Sequence, residues 1–150
     1  VSMMKDVVKY GTAKKAKVLK RPDIAGKTGT TNDQKDAWFS GFNREIVTVS
    51  FLGFDDHSSL GKKEFGSSAA LPMWIDYMKT ALRGTPKSNL EEPDGLVSAK
   101  IDSKNGLLAS PDSKNSITEV FRKENVPKTF SKENKISKSK EEELELEKLF

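Results

Sequence analysis

Cysteine is absent from the 150 residues, which excludes disulfides and thiolate metal sites. Histidine occurs once. A metal centre needs more ligands than that, and His57, beside Asp55, Asp56 and Ser58, reads as an exposed loop residue. No metal or other cofactor is therefore expected. Nowhere does an apolar run approach the ~20 residues of a membrane-spanning helix, and no signal-peptide pattern opens the chain. Apolar residues make up 35% against 32% charged, so they cannot be spread evenly, and they gather in the first half. The net charge of +4 invites a nucleic-acid reading. However, the lysines are scattered and no recognition motif accompanies them, so no nucleic-acid partner is expected.

What is present divides into a patterned half and a polar half. Met3, Met4, Val7 and Val8 recur at helical spacing, and Gly11 suits a helix C-terminus. Residues 14–21 carry Lys14, Lys15, Lys17, Lys20 and Arg21, a basic run that reads as solvated loop or as a binder of anionic surfaces. Residues 24–30, 37–42 and 46–54 read as successive antiparallel strands. In the third, Val47, Val49 and Phe51 alternate with Thr48 and Ser50, which predicts one apolar face. A helix is expected over about 67–83, with Leu71, Trp74, Ile75, Met78 and Leu82 on one stripe, Ser67 as its cap and Gly84 as its stop. That stripe is expected to pack on the apolar sheet face, with Trp38, Phe39 and Phe42 as core residues. Beyond Pro86 the sequence turns polar. Asn105-Gly106 between residues 97–102 and 107–109 signals a hairpin, and Ile117 to Phe121 an apolar patch docking back. From residue 131 the charge segregates, basic to Lys140 and acidic from Glu141 to Glu147, as in disordered tails; Leu144, Leu146, Leu149 and Phe150 offer one side of a partner-binding helix.

The run Lys27-Thr28-Gly29-Thr30 carries the most chemistry. Lys27 supplies a fixed positive charge that attracts a carboxylate. Thr28 and Thr30, two apart on a strand, point to the same side, where both hydroxyls can hydrogen-bond one anion. Gly29 admits close approach of a ligand or another backbone. The Thr30 N–H at a strand edge can serve a developing oxyanion.

Lys-Thr-Gly together with Ser-x-x-Lys and Ser-x-Asn elements marks serine penicillin-recognising enzymes. In this chain Ala25-Gly26-Lys27-Thr28-Gly29-Thr30-Thr31-Asn32-Asp33, followed by Asp36-Ala37-Trp38-Phe39-Ser40-Gly41-Phe42, resembles the C-terminal part of the transpeptidase domain of class A penicillin-binding proteins. Ser2 to Val8, Gly11-Thr12-Ala13, Val47 to Asp55, and Gly66, Ala69, Pro72, Trp74 and Met78 agree with the family's order, as does the extension through Pro127. The resemblance covers roughly residues 1–130. It implies an α+β fold, a partial β-lactamase/transpeptidase-like arrangement of antiparallel strands with a packing C-terminal helix. The implied organisation is a transpeptidase portion over 1–85, an appendage with a short hairpin over 86–130 and a charged tail over 131–150. It further implies that Lys27 and Thr30 are catalytic, and that Lys27, Thr28, Gly29 and Thr30 bind substrate.

For the parent enzyme the resemblance implies cross-linking of peptidoglycan stem peptides through an acyl-enzyme, and binding of β-lactams. It implies a location on the periplasmic side of the inner membrane, held by an N-terminal anchor, with glycan polymerisation in a separate upstream domain. The Ser-x-x-Lys matches at Ser2-Met3-Met4-Lys5 and Ser137-Lys138-Ser139-Lys140 are out of the family's order. So are the Ser-x-Asn matches at Ser103-Lys104-Asn105 and Ser113-Lys114-Asn115. The nucleophile is therefore expected in a missing upstream half, consistent with Val1 falling in what reads as mid-helix. Alone, the chain is expected to be inactive, with an unpaired apolar strand edge that favours self-association. The alternative is a non-catalytic cell-wall or partner-binding module.

Overall fold

In the computed structural model, residues 1–111, 113 and 115–131 are described. The charged tail beyond 131, the match at Ser137 and part of that at Ser113-Lys114-Asn115 lie outside them. Two compact units result, Val1–Glu91 and Glu92–Phe150.

The first unit is a three-stranded antiparallel sheet with helices on one face. Helix α1 (Ser2–Lys9) leads into a 3-10 helix at Lys14–Leu19, where the basic run was expected to be loop. Burial of Ala13 and Ala16 under the domain explains the difference, since it anchors the inner side while the lysines stay outside. Strands β1 (Ala25–Thr30), β2 (Asp36–Phe42) and β3 (Val47–Gly53) follow in the order β1-β2-β3, so each outer strand has one edge without a strand partner among the described residues. A π-helical turn at Gly66–Ala70 opens helix α2 (Leu71–Ala81), with Pro72 in its first turn, where a missing N–H costs nothing. Ser68 rather than Ser67 holds the entry: its hydroxyl accepts the Phe65 N–H at 2.9 Å and donates to the Lys63 carbonyl at 2.7 Å.

The expected stripe is the buried one. Leu71, Trp74, Ile75, Met78 and Leu82 all face the core with Phe39, Ala37, Ile24 and Val8. The face they cover is not the one predicted. α2 packs over Thr48, Ser50 and Leu52, and Val47, Val49 and Phe51 point to the opposite, exposed side. Register explains this. Phe39 lies directly opposite Ser50, and Phe39 and Trp74 meet edge to face at 4.9 Å, which draws the Ser50 row under the helix. The polar atoms there are satisfied. The Trp74 indole donates to the Thr48 carbonyl at 3.1 Å, and the Ser50 hydroxyl to the Ala70 carbonyl at 2.8 Å. Gly41 makes room, because a Cβ there would sit 2.6 Å from the Trp74 ring. On the exposed side Trp38, 40% accessible, packs on Phe51 with ring centroids 4.3 Å apart, so Trp38 is not a core residue as expected.

One buried ion pair ties the strand entry to the end of the unit. Arg21 grips Asp23 through Nε (3.1 Å) and Nη2 (2.7 Å) and donates to the Thr85 and Pro86 carbonyls. Burial pushes the Asp23 carboxyl upward, but hydrogen bonds from Arg21, its own backbone N–H and Asn43 outweigh it and hold the group below the usual carboxylate range.

The second unit is built on β4 (Leu96–Asp102) and β5 (Ser116–Arg122), paired antiparallel with Val97 opposite Phe121. The turn at Asn105-Gly106 forms, with Gly106 at φ 72°, and residues 107–109 return beside β4 as the expected short hairpin: Leu108 bridges Ile101, the Asp102 N–H donates to the Leu107 carbonyl at 2.8 Å and the Ala109 N–H to the Lys100 carbonyl at 3.0 Å. The full-length partner of β4 is β5, which contains the Ile117–Phe121 segment expected as a docking patch. Ser131 closes the unit by donating to Asp102 Oδ2 at 2.7 Å and accepting from Asn105 Nδ2 at 2.9 Å. Asn105 is thereby committed to structure.

Candidate active-site edge

Strand β1 presents the Lys-Thr-Gly-Thr run along its open edge. Its pairing places Lys27 opposite Ser40, Thr28 opposite Phe39, Gly29 opposite Trp38 and Thr30 opposite Ala37. Thr28 and Thr30 consequently share the helix-covered face, and Lys27 starts from the other. Thr31 donates its N–H to the Asp36 carbonyl at 3.1 Å, which makes that pair a hydrogen-bonded one. Antiparallel alternation then turns the N–H and C=O of Thr30 and Thr28 outward, away from β2.

Each side chain is held. The Lys27 ammonium curls round the edge, donating to the Thr28 carbonyl at 3.0 Å and approaching its hydroxyl at 3.5 Å. The Thr28 hydroxyl also pairs with the Thr12 hydroxyl at 2.9 Å, from the turn after α1. The Thr30 hydroxyl accepts the Gly66 N–H at 2.9 Å, which leaves its own O–H free to donate. Lys27 and Thr28 are thus brought together, while Thr30 is held separately by the start of the α2 segment.

Two residues of this edge escaped the sequence reading, Thr12 and Gly66. Gly66 lies against the ladder: a Cβ there would press on the Trp38 carbonyl and sit 2.5 Å from the Gly29 carbonyl oxygen. It is the missing side chain of Gly66, not that of Gly29, that permits this contact, since a Cβ at Gly29 would meet only Trp38. The small-residue run Gly66-Ser67-Ser68-Ala69-Ala70 was the available signal.

Beyond Thr30 the chain turns sharply, with Asp33 and Gln34 both at positive φ. The turn is braced by Ser59, which donates to the Asp33 carbonyl at 2.6 Å, and by the Leu60 N–H on the Gln34 carbonyl. A shallow polar recess of about 640 Å³ there is lined by Thr30, Thr31, Asp33, Asp36 and His57, among others. Among the described residues no group of three or more His, Cys, Asp or Glu could hold a metal, and no helix is long and apolar enough to cross a membrane.

A three-stranded antiparallel sheet whose outer strand carries Lys-Thr-Gly-Thr, backed by a C-terminal helix, is a partial transpeptidase-like α+β fold. A crystal structure of penicillin-binding protein 1A from Haemophilus influenzae matches with a TM-score of 0.80 at 38% identity, covering 87% of this chain and 20% of that one. By sequence and fold this chain belongs with the C-terminal part of the class A penicillin-binding proteins. The relatives that establish this are penicillin-binding protein 1A from Pseudomonas aeruginosa, 48% identical over 126 residues, and from Neisseria gonorrhoeae, 52% identical over 97. These alignments cover 84% and 65% of this chain. A family described as the C-terminal domain of penicillin-binding protein 1A matches residues 92–135. The chain spans only 15% and 12% of those two relatives.

Proposed function

We propose that the β1 edge is the carboxylate-binding and oxyanion-stabilising part of a serine D,D-transpeptidase site, and that the acylated serine lies in sequence outside these residues. The observation that carries this reading is the donor set. An ammonium, a threonine O–H left free by the Gly66 N–H and an outward N–H share one strand edge that has no strand partner among the described residues. Such a set fits the terminal carboxylate of D-alanyl-D-alanine, or of a β-lactam, with Lys27 for charge, Thr28 and Thr30 for hydrogen bonds and Gly29 for approach. When a serine attacks the penultimate carbonyl, the negative charge that develops on its oxygen is met by the Thr30 N–H. One such donor is worth about 2.7–4 kcal/mol of transition-state stabilisation. The whole enzyme would act on peptidoglycan in the periplasm, attached to the inner membrane through its own upstream anchor.

Without that serine no acyl-enzyme forms. Ser2-Met3-Met4-Lys5 is not taken as that serine because it falls too close before Lys27 for the family's motif order; in agreement, the Lys5 ammonium is hydrogen-bonded to Asn89 at 2.8 Å. The test has two arms. Fluorescent penicillin should leave no covalent label on the purified chain; labelling that disappears in Ser2→Ala would overturn the missing nucleophile. Calorimetric titration with a D-alanyl-D-alanine peptide should show weak binding that Lys27→Ala and Thr30→Val remove. Binding unchanged in both variants would favour a non-catalytic module and sink the cradle.

A further inference from the structure

Away from the β1 edge, a groove of about 510 Å³ runs between α1 and the Lys14–Leu19 helix. Its floor is apolar, made by Val8, Pro22 and Ile24, and its walls carry Lys5, Lys9, Lys17 and Lys20. Asp6 is the one carboxylate in the lining, and Arg21 is already spent on Asp23. None of the four lysines forms an ion pair among the described residues. The lysines stand in two rows. Lys5 and Lys9 are one α-helical turn apart, about 6 Å along α1, while Lys17 lies in the 3-10 helix and Lys20 is its left-handed C-terminal cap, its N–H on the Lys17 carbonyl.

We propose that this groove binds an acidic peptide in extended conformation whose carboxylates alternate with apolar side chains. Alternate residues of such a peptide lie about 6.4–6.8 Å apart on one side, close to the spacing of Lys5 and Lys9. The apolar side chains meet the floor, and the carboxylates lie at the rim. There the long lysine stems cover apolar surface while their ammonium groups stay at the water boundary. A free phosphate would leave the floor unused, and a flat bilayer cannot enter a recess. The proposal stands independently of the transpeptidase reading, because no residue of the β1 edge lines the groove.

The test is fluorescence anisotropy of a dye-labelled Glu-Leu-Glu-Leu-Glu-Leu peptide with the full chain. The sequence itself carries such an alternation at Glu143-Leu144-Glu145-Leu146-Glu147, which would compete with the probe. The measurement is therefore repeated on a variant with those three glutamates changed to glutamine. Saturable binding to either protein is expected, weakening about tenfold in Lys17→Ala/Lys20→Ala. Salt should weaken it too between about 0.01 M and 0.15 M, as the Debye length falls from about 30 Å to about 8 Å. A Glu-Ser alternating peptide should bind less tightly. Both lysines are exposed, and unchanged circular dichroism checks that the fold survives their loss. The proposal is overturned if neither protein binds the peptide, if the lysine variant binds equally well, or if phosphatidylglycerol vesicles or inorganic phosphate bind where the peptide does not.

Discussion

Replacing Gly66 by alanine tests the link between the fold and the β1 edge. The added methyl carbon would meet backbone: the Trp38 carbonyl, the Gly29 carbonyl oxygen at 2.5 Å and the Gly29 nitrogen at 3.1 Å. Backbone in a paired strand cannot swing aside as a side chain can, so either the α2 segment lifts or β1 and β2 distort. Overpacking of this kind costs about 1–3 kcal/mol. Losing the hydrogen bond from the Gly66 N–H to Thr30 adds about 1 kcal/mol. A total of about 2–4 kcal/mol divided by a urea slope of about 2 kcal/mol/M moves the unfolding midpoint down by about 1–2 M. Tryptophan fluorescence is the assay, since Trp74 is fully buried. Gly29→Ala is the comparison. Its new methyl meets the Trp38 Cβ at 3.2 Å, a looser contact than any at Gly66 that a local shift of a few tenths of an ångström relieves, so the loss should be smaller. If Gly66→Ala unfolds within about 0.5 kcal/mol of the parent chain, the argument that α2 is seated on the Gly29 backbone is wrong.

Other perturbations follow from the same packing. Asp23 has a depressed pKa, so its contribution to stability is present above the ordinary carboxylate pKa and is lost as pH falls through its lower folded value. Urea midpoints measured from neutral pH into acid should therefore decline, and Asp23→Asn should flatten that decline. Asp23→Ala, which leaves the Arg21 guanidinium buried at 7% exposure, should cost about 3–5 kcal/mol in the same assay. Ser50→Ala removes the hydroxyl bonded to the Ala70 carbonyl and should cost about 1–3 kcal/mol, measured by thermal melting. Val49→Lys combined with Phe51→Lys, both on the exposed face of β3, should reduce self-association in sedimentation velocity; an unchanged distribution would mean that this face does not drive it.

Much of the fold could be read from local pattern. The stripe from Leu71 to Leu82 has helical period, and the three strands are separated by polar turns, so element type and order followed from short-range periodicity. Lys27-Thr28-Gly29-Thr30 was visible for the same reason: the chemistry of an edge strand is written in consecutive residues. Spacing alone also put Thr28 and Thr30 on one face, as β1 has them.

Decisions between distant segments were not legible. Alternation of Val47, Val49 and Phe51 with Thr48 and Ser50 shows that β3 has two unlike faces, but not which one α2 covers. That choice was made by Phe39 and Trp74, which meet over the Ser50 row. Asn105-Gly106 encodes the turn and the short return beside Ile101, but not that the full-length partner of β4 begins at Ser116, because long-range register is chosen by the side chains that meet. Gly66 and Thr12 became parts of the candidate site at the β1 edge only when segments 36 and 16 residues away from Thr30 and Thr28 were brought against it. The sequence by itself determined which elements form and which donors β1 carries, since both depend on neighbours along the chain. Tertiary structure alone decided which face was buried and which hydroxyl was left free to donate, since both depend on contacts made across it.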